Sequence, residues 1–184
     1  TNNTAVGYGS LGYFASAYTT GAYNVALGDS ALGKITSASN NTAVGYQAGY
    51  ANTTGGIDAF GCKALESNTT GTGNVGIGQG VLATNTTGNS NTAVGYQALE
   101  YNSTASYNTA VGYQALYSNT TANSSTAVGW GSLYNATGTA NTAIGVNSGN
   151  GLTTGTVNTF LGASAGYAMT TGSNNTIIGS YTEI

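Results

Sequence analysis

Apolar and polar residues alternate over short stretches of this chain, and the alternation returns at a nearly constant interval. The string Asn-Thr-Ala-Val-Gly-Tyr occurs whole at Asn3, Asn41, Asn91 and Asn108. When the copies are aligned on its glycine, eleven of them fill the 184 residues, in steps of 16 to 21 and most often 17 residues. The pattern predicts a single repeat array over residues 1–184. Its anchor glycines are Gly7, Gly28, Gly45, Gly61, Gly78, Gly95, Gly112, Gly129, Gly145, Gly162 and Gly179.

Before each anchor glycine the sequence predicts a short β-strand. A large apolar residue precedes the glycine in every copy, and Thr or Val stands two positions earlier in every copy except at Asp58. Such β-branched residues at alternate positions indicate a strand with one face inward, so the small residue between them is expected to point outward. We therefore expect the residues before the glycines to form one stacked internal column. They are Val6, Leu27, Val44, Phe60, Ile77, Val94, Val111, Val128, Ile144, Leu161 and Ile178.

A polar corner and a second apolar line complete each copy. Asn stands four residues before the glycine in nine copies, where it suits a corner and can form an amide ladder between copies. Leu recurs four residues after the glycine and predicts a second buried column, which is followed by a polar turn such as Asn-Thr-Thr-Gly. These leucines are Leu11, Leu32, Leu65, Leu82, Leu99, Leu116 and Leu133.

Each copy is too small to bury a core alone, but stacked copies can share their apolar columns and pair their backbones. No copy holds ten consecutive residues free of glycine and turn formers, so a helical repeat is not expected. The predicted fold class is all-β, a parallel β-solenoid (β-roll) of about eleven coils of 16–21 residues. At about 4.8 Å per coil, the coils would form a rod on the order of 50 Å long.

The composition removes most chemistry, because charged residues make up 4% of the chain against roughly 25% in ordinary soluble domains. Only Lys34 and Lys63 could neutralise phosphate, so no nucleic acid is expected as a partner. Histidine is absent, Cys62 is the single cysteine, and no run of 18 apolar residues predicts a membrane span. The acidic residues fall in different columns or distant copies, so we expect no catalytic residues, no cofactor and no metal. They are Asp29, Asp58, Glu66, Glu100 and Glu183.

The repeat resembles that of a known family. Asn-Thr-Ala-Val-Gly-x-x-Ala is similar to the Asn-Ser-Val-Ala-Ile-Gly-x-x-Ser repeat of trimeric autotransporter adhesin heads (YadA-like), and to repeats of bacterial and phage tail-fibre proteins that precede an endosialidase-type intramolecular chaperone. The resemblance covers all eleven copies and departs in the longer Asn-Thr-Thr-Gly loop. It implies a left-handed parallel β-roll, association of three chains, and an outer surface that binds matrix proteins or cells.

The polar turns contain sequons for N-glycosylation, and five of them lie seven residues after their anchor glycines. We expect these asparagines to project from one edge of the rod, where a glycosylating pathway would find them. The alternative is that an Asn- and Thr-rich repeat produces sequons by chance, at turns that need Asn in any case. The five asparagines are Asn52, Asn68, Asn85, Asn102 and Asn119.

Aromatic residues recur directly after the anchor glycine, and further tyrosines follow five or six residues after it. One interpretation is stacking between coils, with phenol groups at the rim. The other is a ligand platform for a sugar or a receptor. The candidate platform residues are Tyr46, Tyr96, Tyr113 and Trp130.

We therefore expect a non-enzymatic, extracellular structural rod at a cell or virion surface, a fibre or adhesin-head segment that associates with itself as a homotrimer or an end-to-end filament. Complete motifs at both ends of the array favour such association, since open strand edges template further pairing. The alternative is a carbohydrate- or receptor-binding module, with host-cell or matrix glycans as partners. Ice binding through an exposed Thr column is a third candidate; the sequence argues against it, because the large apolar column shares that face.

Overall fold

The computed structural model describes residues 2–12 and 20–180. The described chain contains no helix and winds into about 10 turns of about 17 residues each, which confirms the predicted parallel β-solenoid. Its eleven strands form one parallel sheet in sequence order. The strands are β1 (Thr4–Val6), β2 (Val25–Leu27), β3 (Thr42–Val44), β4 (Ile57–Phe60), β5 (Asn74–Ile77), β6 (Thr92–Val94), β7 (Thr109–Val111), β8 (Thr126–Val128), β9 (Thr142–Ile144), β10 (Thr159–Leu161) and β11 (Thr176–Ile178).

Equivalent residues of successive copies stand side by side in the sheet. Ala93 pairs with Ala110 in the β6–β7 register, and the Gly112 amide donates to the Val94 carbonyl over 2.8 Å. The anchor glycines are required here, because successive coils approach closely at this corner. Gly95 has a φ of 127°, and a Cβ on it would lie 2.5 Å from the carbonyl oxygen of Gly112. No other residue fits that space or favours that conformation.

The sheet turns the opposite face inward from the one predicted. The small residues in the middle of the strands are fully buried, with Ala93 and Ala110 at 0% exposure, while the large apolar residues point out, with Ile77 44% and Leu161 43% exposed. The predicted internal column before the glycines is therefore wrong. The physical reason is the narrow interior: the turn after the glycine folds back over the sheet, and its leucines occupy the space that larger strand residues would need.

The predicted leucine column is confirmed as the second side of the core. From Leu32 to Leu133 its leucines are 0–1% exposed, and Leu11 is partly buried against the core. Where the column holds glycine instead, a larger residue from the sheet fills the gap. A Cβ on Gly149 would lie 2.7 Å from the Phe160 ring, and one on Gly49 would lie 2.7 Å from Cδ1 of Ile57. The interior is thus close-packed coil by coil.

The predicted amide ladder is present at the strand corner. The backbone N–H of Asn91 donates to Oδ1 of Asn74 over 3.0 Å, and its side-chain amide donates to the same oxygen over 3.1 Å. The same amide also donates to the Ala105 carbonyl over 2.8 Å. Each such asparagine therefore satisfies its own buried polar groups through the coils beside it.

A second ladder runs through the interior from the polar turns. The side-chain amide of Asn85 donates to Oδ1 of Asn68 over 2.7 Å and to the Gly88 carbonyl over 3.1 Å. Asn102 in turn donates to Oδ1 of Asn85 over 2.8 Å. Buried hydrogen bonds thus hold both the turn within a coil and the contact between coils.

The inverted sheet generates a paired test of which face is buried. We expect Ala110→Asp to lower the free energy of unfolding by about 3 kcal/mol or more, because an unpaired carboxylate would enter the core. Val111→Asp, on the outer face, should change the free energy of unfolding by less than about 1 kcal/mol when both variants are measured at a concentration too low for self-association. Urea unfolding of both variants followed by circular dichroism checks this, and a larger loss for Val111→Asp would reverse the orientation.

The interior ladder generates a second test. Asn85→Ala should cost roughly 2–3 kcal/mol, because it leaves buried partners in the adjacent coils and in its own turn without hydrogen bonds. The matched control is Asn135→Ala, which removes an exposed amide that donates to the Asn150 carbonyl and should shift stability by less than about 0.5 kcal/mol. Equal midpoints for the two variants in thermal melts would contradict the role of the ladder.

Candidate functional site

The outward side of the sheet is a flat, nearly uncharged surface of two parallel columns, which we call the outer sheet face. One column holds the Thr and Val residues at the start of the strands, and the other holds the large apolar residues before the glycines. Thr92 and Thr159 are exposed in the first column, and Ile77, Ile144 and Leu161 are exposed in the second. Among the described strands, Asp58 is the one charged residue on this face.

The exposure of this surface bears on ice binding as a candidate function. The sequence argued against ice binding because an exposed Thr column would also expose the large apolar residues on the same face. The structure exposes both columns together, so that objection is wrong. Exposed large apolar residues therefore recur in one column of the described sheet, beside a column of Thr and Val.

The five sequon asparagines are in the interior ladder and not on an edge. Each has 0% exposure, so the prediction that they project from the rod is wrong, and the folded chain offers none of them for glycosylation. The sequence does contain a sign of this burial. Other coils carry apolar residues seven positions after their anchor glycines, which indicates that the column lies in the interior. Those residues are Ile35, Ala136, Leu152 and Met169.

Three of the four candidate platform residues lie together in one stack. The Tyr96 and Tyr113 rings have centroids 5.3 Å apart and planes 13° apart, and the Tyr113 and Trp130 rings have centroids 6.2 Å apart and planes 19° apart. Tyr46 belongs to the same column but is separated from this stack by the coils of Cys62 and Gln79. Because the rings cover one another's faces, the stack shows mainly its edges to solvent.

A second stack lies five to six residues after the anchor glycines. The Tyr117 and Tyr134 rings are 4.9 Å apart and nearly parallel, and Tyr101 meets Tyr117 edge-on at 5.0 Å. A side-chain hydrogen bond to Tyr101, together with burial and the nearby Glu100 carboxylate, raises the pKa of Tyr117. The stacking between coils that the sequence predicts is therefore present in both columns, and Tyr117 keeps its proton at physiological pH.

Two of the acidic residues lie closer together in the structure than the sequence predicts. Glu66 and Glu100 both stand five residues after an anchor glycine, two coils apart, and both line one groove of about 340 Å³. The expectation that all acidic residues are scattered is wrong for this pair, and counting from the anchor glycine would have found it. Glu66 pairs with Lys63 at 3.3 Å, while Oε2 of Glu100 is buried without a hydrogen-bond partner.

The remaining candidate residues stay apart. Asp29 and Asp58 are exposed in other columns, Glu183 lies outside the described residues, and Cys62 is an exposed free thiol. Within residues 2–12 and 20–180, no three His, Cys, Asp or Glu side chains come together as a metal site would require. The same part of the chain contains no helix of the length and hydropathy needed to cross a membrane.

The chain was compared with protein families, curated proteins and solved structures. No family model, no curated protein and no solved structure matches this chain.

Proposed function

We propose that this chain is a segment of an extracellular structural rod, a fibre or adhesin head at a cell or virion surface, whose outer sheet face is covered by further copies of the same chain. The observation that supports this most is the outer sheet face itself. Its apolar column has exposed side chains at Phe60, Ile77, Ile144 and Leu161 and half-buried ones at Val94, Val111 and Val128. Burial of that surface would supply the stabilisation that the narrow core does not.

A second copy fits this face better than an unrelated partner does. Both copies have the same coil spacing, fixed by the same backbone hydrogen bonds, so the columns of one rod stay in step with those of the other along their whole length. With Asp58 as the one charge on the described face, identical faces meet with little like-charge repulsion. Association in this way accords with a homotrimer or a longer filament.

The alternative function, a carbohydrate- or receptor-binding module based on exposed aromatic columns, has weaker support. Sugars bind aromatic residues through the face of the ring, and the stack of Tyr96, Tyr113 and Trp130 covers its inner faces. Only the outer faces at the two ends of that stack are free of other rings. Any sugar site is therefore local and does not extend along the rod.

The test of the rod is self-association of the full chain, measured by light scattering after size exclusion and by native mass spectrometry. We expect a defined multiple of the chain mass, or filaments. The double variant Val111→Asp with Val128→Asp should dissociate these assemblies while the secondary structure remains, because four or more carboxylates would meet across the interface. The matched control places the same charges on the exposed turn, as Thr104→Asp with Thr121→Asp, and should still assemble.

One substitution should act in the opposite direction. Asp58→Thr restores the residue that most strands carry at this position and removes the one charge on the described face, so it should lower the dissociation constant of the assembly. A wild-type chain that stays monomeric at all concentrations would overturn the proposal. If such a monomer also produced thermal hysteresis that the Val111→Asp/Val128→Asp variant lost, the outer sheet face would bind ice instead.

A further inference from the structure

A groove of about 340 Å³ on the turn surface of the rod arises from a local departure from the repeat. Two residues after the anchor glycine, neighbouring coils carry Lys63 on one side and Gln97 on the other, and the coil between them has Gly80. The backbone there has the same left-handed conformation in all three, with φ between 58° and 65° for Lys63 and Gly80 and 55° for Gln97. Gly80 has no side chain between those of Lys63 and Gln97, so the groove is a gap between two long side chains of the same column.

The same coil is also depleted five residues after its anchor glycine. Ala83 stands there between Glu66 and Glu100, where four other coils carry Tyr. All three residues line the groove. Two small residues in one coil, each flanked by long polar side chains, therefore produce one concave site with walls from three successive coils.

Tyr96 closes one side of the groove from the end of the aromatic stack. Tyr113 covers one face of its ring at 5.3 Å. The opposite side is directed toward the preceding coil, whose Gln79 and Gly80 line the groove together with Tyr96. Tyr96 lines the groove and is 41% exposed, and aromatic rings attract polarised C–H groups, so the groove has one aromatic wall suited to a sugar.

Hydrogen-bonding groups with free capacity line the rest of the site. Gln114 donates to Oε1 of Gln97 over 2.8 Å, which fixes the orientation of the Gln97 amide and leaves its N–H groups to donate elsewhere. The Glu100 carboxyl has Oε2 buried without a partner, and burial raises the pKa of that group. A rotation of the Glu100 side chain would bring this oxygen to the groove, where a ligand hydroxyl that donates to it would replace the hydrogen bonds that burial removed.

Charge and size narrow the class of ligand further. The groove has two carboxylates and one ammonium, and Lys63 is engaged by Glu66 at 3.3 Å, so an anionic ligand would be repelled. The volume is at the lower end of the range of roughly 300–1,000 Å³ for small-molecule pockets. It therefore suits one compact, uncharged unit with many hydroxyl groups.

We propose that this groove binds a single neutral pyranose unit of a glycan, with the apolar face of the sugar against Tyr96, hydroxyls accepting from the Gln97 amide and donating to the Glu100 carboxylate. None of the residues that line the groove belongs to a strand, so covering the outer sheet face does not by itself fill the site. It gives the rod a specific attachment point beyond its structural role.

The experiment measures binding of methyl glycosides of glucose, galactose, mannose and N-acetylglucosamine to the full wild-type chain, by saturation-transfer NMR and by titration. N-acetylneuraminic acid is the anionic comparator. We expect saturable binding of at least one neutral pyranoside and at least tenfold weaker binding of the anionic sugar. Saturation by none of the neutral pyranosides, or stronger binding of the anionic one, would overturn the proposal.

Variants that fill the groove with larger side chains test whether the sugar binds there. Gly80→Gln gives this coil the residue found at the same position in the next coil, and a Cβ there meets Cγ of Gln97 at an ordinary 3.5 Å. It should reduce the affinity at least tenfold, and Ala83→Tyr should do so independently. The matched control is Ser164→Gln, in the same column with a φ of 55° but distant from the groove, which should bind as the wild type does.

Binding that survives both groove-filling variants would place the sugar elsewhere and overturn the assignment. Circular dichroism melts of Gly80→Gln and Ser164→Gln show whether each variant is folded, so that a loss of binding is not a loss of structure. Self-association is measured on the same samples. An assembled rod that binds no pyranoside contradicts this site alone, whereas a monomer that binds one contradicts the rod and not the site.

Discussion

The distance between successive coils is the constraint on which the rest of the molecule depends. Backbone hydrogen bonds such as that from Gly112 to Val94, at 2.8 Å, hold equivalent residues about 4.8 Å apart. At the corner after each strand, the anchor glycines permit this close approach because a Cβ there would meet the next coil. Each side chain then has its own counterpart as its nearest neighbour. A residue type persists in a column only if it packs well against itself, which favours amides, methyl groups and aromatic rings and disfavours charges.

This constraint explains an interior that contains many amides beside its hydrocarbons. An isolated asparagine in a core would lose its hydrogen bonds to water, but in a ladder each Oδ1 accepts from the coil next to it, as Asn68 does from Asn85 at 2.7 Å. With the polar groups paired, burial costs little. Ala and Leu fill most of the remaining space, larger residues such as Phe160 enter where the leucine column has glycine, and the large apolar residues before the anchor glycines are left on the outside.

The repeat, its period and the solenoid could be predicted from the sequence, because spacing and the alternation of residues depend on local geometry. The face of the sheet that points inward could not be predicted, since the alternation places Thr, Val and the large apolar residues on one face but does not show whether that face is buried. The turn was also beyond prediction: Leu99 has a φ of 52°, a conformation that costs a bulky residue energy and that directs its side chain into the core. The burial of Asn85 and the position of Glu66 and Glu100 along one groove could be predicted from their offsets to the anchor glycines, but only by comparing every coil at the same position.

The departures from the repeat have a consequence for how the chain finds its register. Eleven nearly identical coils could pair one step out of place and keep most of their contacts, just as a strand can slip in a uniform sheet. Phe160 prevents this locally, because its ring occupies the space above Gly149 and beside Gly166 and would collide with a leucine in each of the nine preceding coils. Ile57 with Gly49 marks a second position in the same way. Residues that depart from the repeat therefore distinguish one coil from another. They make the correct register of the coils more stable than registers shifted by one or more coils.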